Sequence, residues 1–355
     1  MDNIFGSAEV YTEESLTAST IEEKLRGKKI YCTCCACMSI YSEFLSWANR
    51  NSQSMVKTPG EADVIVVLSC QVTDIAVLND LRIIRKLASE YPKAQVYVGG
   101  CLALRFDIAL PEGVRRLYHT REDYTEIRDR SLINFEPPFW VPSFKEGGDA
   151  FSEGCLFRDM YPLRISVGCR NNCKYCTIKT TRGTPYELDP DRCRQEFLNN
   201  ENVVLIADSP SASLLYKWIY MALYYSKPIS LRNVEPQVAY DIIDDIAWLA
   251  KKGLLTVLHV PVQSTSPDVL KSMGRNVEKT LAYMAEARKL KDMGVFHATN
   301  IIIDYRKDGK IMADSTYEEQ MPRLRGLFDY ISWNPYWDGI WDEQKAESRY
   351  LSYIG

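Results

Sequence analysis

Several features are scarce or missing in this 355-residue sequence, and each absence narrows the class of protein. No apolar run approaches the roughly 20 residues that a membrane-spanning helix needs, so we expect no contact with a membrane. The first residues, Met1 to Glu9, contain neither a basic segment nor an apolar stretch, so no secretory signal is expected. The net charge of −4 argues against electrostatic binding of nucleic acid over a broad surface, but it does not exclude a local basic patch. These absences favour a cytoplasmic protein.

Histidine is also scarce. His119, His259 and His297 are too scattered along the sequence to form a catalytic group, and no Ser/His/Asp arrangement is recognisable. We therefore assign no residue as acid, base or nucleophile. Apolar residues at 46% and charged residues at 25% are otherwise typical of a globular protein, and the length allows two domains.

Cysteine, in contrast, is plentiful. Eleven cysteines in a chain without a secretory signal indicate metal ligands and spare thiols rather than a disulfide framework. Cys169, Cys173 and Cys176 follow a short apolar run and Gly168 in the spacing CxxxCxxC. A loop with this spacing can wrap a [4Fe–4S] cluster, and three thiolates leave one iron open to a small molecule. A zinc site without its fourth ligand, or three core cysteines, are the alternatives.

This motif, with Tyr175 directly before its last cysteine, resembles the signature of the radical S-adenosylmethionine (SAM) enzymes. The resemblance implies that the open iron binds the amino and carboxylate groups of SAM, and that Tyr175 lies at the cofactor. It also implies that the reduced cluster splits SAM into methionine and a 5′-deoxyadenosyl radical.

The sequence before this motif predicts a doubly wound α/β domain with a parallel sheet. Strands are expected at residues 28–31, 62–68 and 95–98, with helices between them. Cys35, Cys70 and Cys101 each come at the carboxyl end of one predicted strand. The carboxyl ends of parallel strands share one edge of the sheet, so these cysteines should converge and hold a second cluster. The alternative is three unrelated buried cysteines, since free cysteine is often buried.

The first ligand of this second cluster is ambiguous, because Cys32, Cys34, Cys35 and Cys37 lie within six residues. Alternate residues of an extended strand point to opposite faces, so Cys34 and Cys35 cannot both face one cluster without a turn. Cys35 is the preferred ligand and Cys34 the second choice. A separate zinc or metallothionein-like site formed by the four cysteines is also possible.

The second half of the chain again alternates strands with helices. Strands are predicted at residues 163–167, 203–207, 228–231, 255–260, 298–303 and 330–333. Six such units form a partial (β/α)6 barrel of the TIM type, with the cysteine loop at the carboxyl ends of its strands. The predicted organisation is a leader (1–26), an α/β domain (27–135), a proline-rich linker (136–160), the barrel (161–340) and a polar tail (341–355). Cys155, in the linker, is interpreted as a spare thiol.

Several segments are similar to the radical SAM methylthiotransferases. Residues 62–73 and 98–101 resemble the amino-terminal domain of that family, and residues 177–183, 232–236, 259–268 and 273–275 resemble its barrel. The resemblance implies that Glu235 and Gln263 contact SAM. Arg182 is either a partner of the SAM carboxylate, for which arginine has a suitable geometry, or part of a structural ion pair.

The family resemblance also implies a reaction, its cofactors and its partners. Two [4Fe–4S] clusters and SAM are implied, with a peptide, protein or tRNA substrate and an electron donor such as flavodoxin or ferredoxin. The radical removes hydrogen from an unactivated carbon, the second cluster supplies sulfur and a second SAM supplies the methyl group. The alternatives are a radical SAM enzyme whose second cluster relays electrons or holds substrate, and a non-enzymatic metal-binding module.

The sequence departs from this family in two places. Residues 303–309 stand where the family usually has Gly-Phe-Pro-Gly-Glu. After the sixth predicted strand too few residues remain for the TRAM β-barrel that usually contacts the substrate. We therefore expect a different mode of substrate recognition, with a slight preference for a peptide or protein.

Overall fold

The structure is a computed structural model that describes residues 16–17, 25–35, 37–118, 139–140, 156–157 and 160–353. His119, Cys155 and most of the predicted leader and linker lie outside the described residues. The chain divides into two compact units. We call residues 1–142, 180–182 and 340–355 the amino-terminal unit, and residues 143–179 and 183–339 the barrel unit. Among the described residues, no helix is long and apolar enough to cross a membrane.

The amino-terminal unit contains a parallel sheet. Its strands are β1 (Leu16–Thr17), β2 (Ile30–Cys35), β3 (Val64–Ser69), β4 (Gln95–Gly100), β5 (Arg115–Tyr118) and β6 (Phe139–Trp140). They are arranged in the order β1-β5-β4-β3-β2-β6, and every pairing is parallel. The strands β2 and β3 are buried along their whole length, which explains their continuous apolar sequence.

Two helices connect the central strands of this sheet. Helix α1 (Met38–Arg50) follows β2, and helix α2 (Asp74–Glu90) follows β3. The hydroxyl of Thr73 caps α2 by accepting a hydrogen bond from the backbone N–H of Ala76 at 3.1 Å. Both connections return the chain to the start of the next parallel strand, so the ends of β2, β3 and β4 lie at one edge.

The barrel unit contains a second sheet of parallel strands. These are β7 (Tyr161–Arg164), β10 (Val203–Ile206), β11 (Ile229–Arg232), β12 (Leu255–His259), β13 (Phe296–Ile303) and β16 (Tyr330–Pro335). Their order is β16-β13-β12-β11-β10-β7, a linear series that leaves the described sheet open. The α/β class with parallel sheets and a partial barrel is therefore confirmed.

Helices and short strands alternate with these barrel strands. The helices are α3 (Ile178–Arg182), α4 (Pro190–Asn199), α5 (Ala212–Tyr224), α6 (Pro236–Asp241), α7 (Ile243–Lys251), α8 (Pro267–Met273), α9 (Val277–Asp292) and α10 (Tyr317–Leu324). The short strands are β8 (Ser166–Val167), β9 (Tyr186–Glu187), β14 (Arg306–Lys307) and β15 (Lys310–Ile311). Strands β14 and β15 pair as an antiparallel hairpin, which occupies the segment where the sequence departs from the methylthiotransferase motif.

Helix α11 (Glu343–Tyr353) lies in the region predicted as a polar tail, and it packs within the amino-terminal unit. Three ion pairs join it to α2. Arg82 contacts Glu347 at 2.6 Å and Arg85 contacts Glu343 at 2.5 Å. The third pair joins Arg349 to the buried carboxylate of Asp74, at the first residue of α2, at 2.9 Å.

Candidate metal centres

The loop that carries Cys169, Cys173 and Cys176 begins at a glycine that the fold requires. Gly168 has a φ angle of +87°, and an added Cβ would lie 2.4 Å from the carbonyl oxygen of Thr184. Its backbone N–H donates to Asp208 at 2.9 Å, and the N–H of Cys169 donates to the carbonyl of Gly183 at 3.0 Å. No side chain larger than hydrogen fits between residue 168 and the backbone of residues 183 and 184, so the turn that begins the cysteine loop depends on Gly168.

Polar side chains from the ends of neighbouring strands surround the first cysteine. Ser209 follows β10 and hydrogen-bonds both the thiol of Cys169 and, at 2.5 Å, the carboxylate of Glu235. Glu235 follows β11 and accepts a second hydrogen bond from Gln237 at 2.8 Å. Burial of Cys169 raises the pKa of its thiol. The structure thus brings Glu235, predicted at the cofactor, beside the cysteine loop.

A narrow crevice lies between this loop and helix α9. Asn171, Cys173, Glu235, Gln237 and Arg275 are among the side chains that line it. Arg275 donates to the carbonyl of Pro261 at 2.8 Å and approaches the sulfur of Cys173 at 3.9 Å. A cationic group, a carboxylate and amide groups therefore surround the thiol that would hold an iron. Such a set suits a zwitterionic amino-acid group, which carries one charge of each sign.

The remaining predicted residues of this site differ in their surroundings. Tyr175 packs against an apolar cluster that includes Met273 and Tyr305, and its hydroxyl hydrogen-bonds the thiol of Cys173. Cys176 is exposed, and its N–H donates to the carbonyl of Cys173 at 3.1 Å. Gln263 follows β12 with a φ angle of +69°, and its backbone extends the sheet by hydrogen bonds with Asn300 and Ile302.

The second group of cysteines lies within the amino-terminal unit. Cys35 ends β2, Cys70 follows β3 and Cys101 follows β4, and all three are buried. The thiols of Cys35 and Cys70 hydrogen-bond each other. The N–H of Cys70 donates to the buried carboxylate of Asp80 at 2.6 Å, which fixes the backbone at this position. The three strand ends therefore bring the three predicted ligands to one edge of the sheet.

Two neighbouring cysteines differ in their relation to this group. Cys37 interacts with the thiol of Cys70, although no sequence pattern favours Cys37 as a ligand. Burial raises the pKa of the Cys34 thiol, and the charges of Cys32, Cys37, Asp80 and Glu43 add to this effect. Cys35 is thus the strand residue that contacts Cys70. The geometry favours Cys35 over Cys34, and it adds Cys37 as a fourth nearby thiol.

Arg182 lies in the amino-terminal unit with its guanidinium beside Cys101. Its Nε and Nη2 atoms donate to the sulfur of Cys101 at 3.2 and 3.1 Å, and Nη2 also donates to Glu43 at 2.7 Å. Both side chains of the ion pair are almost completely buried. Of the two roles that the sequence left open for Arg182, these contacts favour the structural ion pair, with an added hydrogen bond to a candidate ligand.

Both cysteine groups have the donor set of an iron–sulfur cluster. Burial raises the pKa of Cys101 to about 12 despite the opposing effect of Arg182, so its thiolate needs compensating positive charge. In the part of the chain that the structure describes, no three His, Cys, Asp or Glu side chains converge tightly enough for a single metal ion. A four-iron cluster binds each thiolate through a different iron and accepts a wider spacing, so the residues fit a cluster better than mononuclear zinc.

Two family models match the chain. The model of the radical SAM superfamily matches residues 163–307, and that of the uncharacterized protein family UPF0004 matches residues 29–114. The two matches cover the same two regions that resemble the radical SAM methylthiotransferases in the sequence. The family resemblance read from the motifs is therefore confirmed. SAM and [4Fe–4S] clusters are the cofactors of these domains, with two clusters typical of the family.

Curated relatives support the same assignment. Threonylcarbamoyladenosine tRNA methylthiotransferase MtaB of Thermotoga maritima is 25% identical, over 74% of this chain and 64% of its own. tRNA-2-methylthio-N(6)-dimethylallyladenosine synthase of Chromobacterium violaceum is 29% identical, over 74% and 66%. Ribosomal protein uS12 methylthiotransferase RimO of Saccharophagus degradans is 24% identical, over 81% and 65%. The chain thus spans about two thirds of the length of these relatives.

Among solved structures, coproporphyrinogen III oxidase (HemN) from Escherichia coli, a radical SAM enzyme, shows a weak similarity. It is 14% identical, with a TM-score of 0.33 that covers 61% of this chain and 55% of the other. A likeness at this level supports no argument about the site.

Several residues of the candidate sites were not predicted from the sequence. Asn171 lies within the cysteine loop without a motif of its own, whereas Ser209 and Gln237 come from other segments that only the folded sheet brings to this loop. Arg275 stood in a segment similar to the family, and its position beside the motif could have indicated a role. Glu43 lies in helix α1, and nothing in its local sequence indicates that it pairs with Arg182.

Proposed function

We propose that this protein is a radical SAM methylthiotransferase, which inserts sulfur and a methyl group at an unactivated C–H carbon. The observation that carries the proposal is the presence of two separate three-cysteine groups in one chain. Each group lies at the carboxyl edge of its own parallel sheet, where ligands bind in such folds. One open iron at each group would suffice for the two tasks, activation of SAM and supply of sulfur.

In the barrel unit, Cys169, Cys173 and Cys176 would hold the cluster that binds and reductively cleaves SAM. Glu235 and Arg275 both line the crevice that Cys173 also lines. Their opposite charges fit the amino and carboxylate groups of SAM, so we assign them as its binding residues. Tyr175 acts here by packing and by its hydrogen bond to Cys173, which holds the loop against the barrel. Gln263 stays a proposed SAM contact on the basis of the family resemblance.

In the amino-terminal unit, Cys35, Cys70 and Cys101 would hold the cluster that supplies sulfur. Arg182 donates two hydrogen bonds to the sulfur of Cys101. Hydrogen bonds to a ligand sulfur stabilise negative charge on it and raise the reduction potential of the cluster. We therefore assign Arg182 to this cluster rather than to the SAM carboxylate, with Glu43 as the residue that orients it.

The substrate belongs to one of two classes. The printed names of the relatives include tRNA methylthiotransferases and ribosomal protein uS12 methylthiotransferases. The net charge of −4 gives a slight preference for a peptide or protein over tRNA, because an acidic chain provides no net electrostatic attraction for a polyanion. An electron donor such as flavodoxin or ferredoxin and a cytoplasmic location complete the proposal.

A second candidate is a radical SAM enzyme of another reaction type, in which the amino-terminal cluster relays electrons. The hydrogen bond between Cys37 and Cys70 favours this alternative, because a fourth thiol could close the cluster and block sulfur transfer. Incubation of the reduced enzyme with SAM, sulfide and either total tRNA or candidate peptides tests both. Product mass spectrometry should show the gain of one SCH3 group, whereas a product without added sulfur would support the second candidate.

Two triple variants separate the roles of the clusters. The anaerobically reconstituted protein should bind about eight irons per chain, in two clusters of four. Alanine at Cys169, Cys173 and Cys176 should lower this to about four and abolish 5′-deoxyadenosine. Alanine at the three amino-terminal ligands should leave SAM cleavage largely intact but stop sulfur transfer. A fully methylthiolated product from the second variant would exclude the sulfur-donor role.

A further inference from the structure

A short antiparallel hairpin follows strand β13 at the carboxyl edge of the barrel sheet. Its strands, β14 and β15, are joined by Asp308 and Gly309, whose φ angles are +51° and +76°. Two consecutive positive φ angles are what a type I′ turn requires, and the twist of such a turn matches that of the paired strands. Residues 306–311 are all exposed. The hairpin is therefore a defined element whose side chains face solvent.

The base of this hairpin is fixed beside the cysteine loop. Tyr305 is buried in the apolar cluster that includes Met273, and Tyr175 of the loop packs against the same cluster. The hydroxyl of Tyr305 donates to the carbonyl of Ser272 at 3.3 Å, and the N–H of Lys174 donates to the carbonyl of Met273 at 3.0 Å. The exposed part of the hairpin thus begins next to the proposed SAM site.

Three cations lie on this exposed part, together with one acidic residue, Asp308. Arg306 donates to the carbonyl of Gly309 at 3.1 Å, and among the residues that the structure describes none of the three cations forms an ion pair. Lys307 lies directly opposite Lys310 in the register of the two strands. Like charges at opposed positions repel each other and destabilise the strand pair. A bound anion would offset this repulsion.

Two further features indicate the kind of anion. Within the described part of the chain, β14 and β15 pair with each other alone, so their outer edges have backbone groups that are free to bond. Ile311 is 46% exposed and lies opposite Arg306, on the other face from the two lysines. An extended peptide can add a strand to such an edge and direct alternate side chains to the two faces. RNA forms no such ladder and is held mainly by cations along its phosphates, for which this acidic chain offers a small patch.

We propose that the hairpin of β14 and β15 binds an acidic, extended segment of a peptide or protein substrate. The inference rests on the proposed function and names the substrate class for the same site. Carboxylates of the segment would lie beside Lys307 and Lys310, and an apolar side chain would lie against Ile311. Lys307 is two residues beyond Tyr305, about 7 Å along the strand, so these contacts lie close to the proposed SAM site but outside it.

The test measures binding to the reconstituted full chain by fluorescence anisotropy. The probes are two fluorescein-labelled synthetic peptides of equal length, one of Thr-Glu repeats and one of Thr-Gln repeats, and labelled total tRNA. Threonine favours the extended conformation in both peptides, which therefore differ in charge alone. The hairpin variant combines Arg306→Glu, Lys307→Glu and Lys310→Glu, all at exposed positions.

A matched control reverses three exposed cations on the outer helices α4, α5 and α9 of the barrel unit, by Arg192→Glu, Lys217→Glu and Arg288→Glu. Both triple variants change the net charge by the same amount. We expect the unsubstituted protein to bind the acidic peptide at least about tenfold more tightly than the neutral one, and the hairpin variant to lose at least about tenfold in affinity. The control should lose less than about twofold, because charges more than about 8 Å away are screened at physiological salt.

A milder variant covers the case in which the triple reversal disturbs the hairpin. Lys310→Gln removes the like-charge pair with Lys307, so the melting temperature should stay equal or rise while the affinity for the acidic peptide falls about two- to fivefold. Lower stability with unchanged affinity would give Lys310 a structural role and overturn the proposal.

Three results of the triple variants would also overturn the proposal. These are equal losses in the hairpin variant and the control, no binding or no preference for the acidic peptide at about millimolar concentration, and a hairpin variant that loses tRNA binding but keeps peptide binding. Binding is measured without SAM and without turnover. A failure of the proposed methylthiolation is therefore detected separately, by product mass and by 5′-deoxyadenosine formation.

Discussion

Replacement of Gly168 by alanine tests whether the turn before Cys169 builds the barrel cluster site. The φ angle of +87° costs a residue with a Cβ about 1–2 kcal/mol. The added Cβ would also lie 2.4 Å from the carbonyl oxygen of Thr184 and 2.8 Å from that of Gly183. These contacts are to backbone atoms, so no flexible side chain can move aside, and the loop must shift by about 1 Å to reach ordinary contact distances.

This shift has a local and a global consequence. It weakens the hydrogen bond from Cys169 to Gly183, which contributes about 1 kcal/mol. With the conformational strain and an overpacking cost of about 1–3 kcal/mol, we expect a destabilisation of about 3–6 kcal/mol. We also expect the loss of about four irons per chain, because Cys169 moves away from the other two ligands.

The measurement combines anaerobic denaturant titration with iron analysis of the reconstituted protein. Gly294→Ala is a matched control, since its φ angle of +85° is nearly the same and no atom lies within 4 Å of the added Cβ. The control carries the strain without the close contacts, so it should cost about 1–2 kcal/mol and keep all iron. If Gly168→Ala matches Gly294→Ala in both stability and iron content, the close approach to Thr184 is not what positions the loop.

Three further predictions concern the amino-terminal unit. Gly100 directly precedes Cys101, and Gly100→Ala places a Cβ 2.6 Å from the carbonyl oxygen of Ser69, so iron analysis should show loss of the amino-terminal cluster and retention of the barrel cluster. Gly27→Ala, at a similar φ angle with no atom within 4 Å of the added Cβ, should keep both clusters. Glu43→Gln removes the negative charge that pairs with the buried guanidinium of Arg182, so the free energy of unfolding from denaturant titration should fall by about 3–5 kcal/mol. A decrease of less than about 1 kcal/mol would contradict this prediction. Arg85→Ala breaks an exposed ion pair and should change stability by less than about 1 kcal/mol in the same titration, a larger loss pointing to a structural role.

The sequence predicted the strands and the cysteine positions well, because both depend on local patterns. The continuous apolar runs identified the buried parallel strands, and the observed β3 and β4 differ from the predictions by one or two residues at their ends. Cys70 and Cys101 follow these strands directly, so the rule that parallel strands end at one edge sufficed to bring them together.

The contacts around the cysteines could not be predicted in the same way, because they join residues far apart in the sequence. Arg182 follows Cys176 by six residues, which suggested a role at the barrel cluster. Its partner Glu43, however, is 139 residues away, and no periodicity in either segment indicates their pairing. Arg275 is likewise 102 residues from Cys173. Such pairs depend on how whole elements are arranged, which a single sequence does not specify.

Helix α11 was missed for a different reason. Its hydrophobic pattern is weak, and Ala346 is its buried apolar residue. Ion pairs join it to α2. From the sequence alone, the charged residues of both helices indicate solvent-exposed faces, so nothing predicts that the two helices pack together.

The contribution of α11 to the amino-terminal unit has a consequence for how the protein is made. The pairs Arg82–Glu347 and Arg85–Glu343 join residues 265 and 258 positions apart, with the barrel strands between them. A ribosome delivers residues in order, so the first unit cannot be completed until the barrel has been synthesised. During that time Arg82, Arg85 and Asp74 of α2 lack their partners on α11. Completion of this unit is therefore a late step, which follows synthesis of the barrel strands.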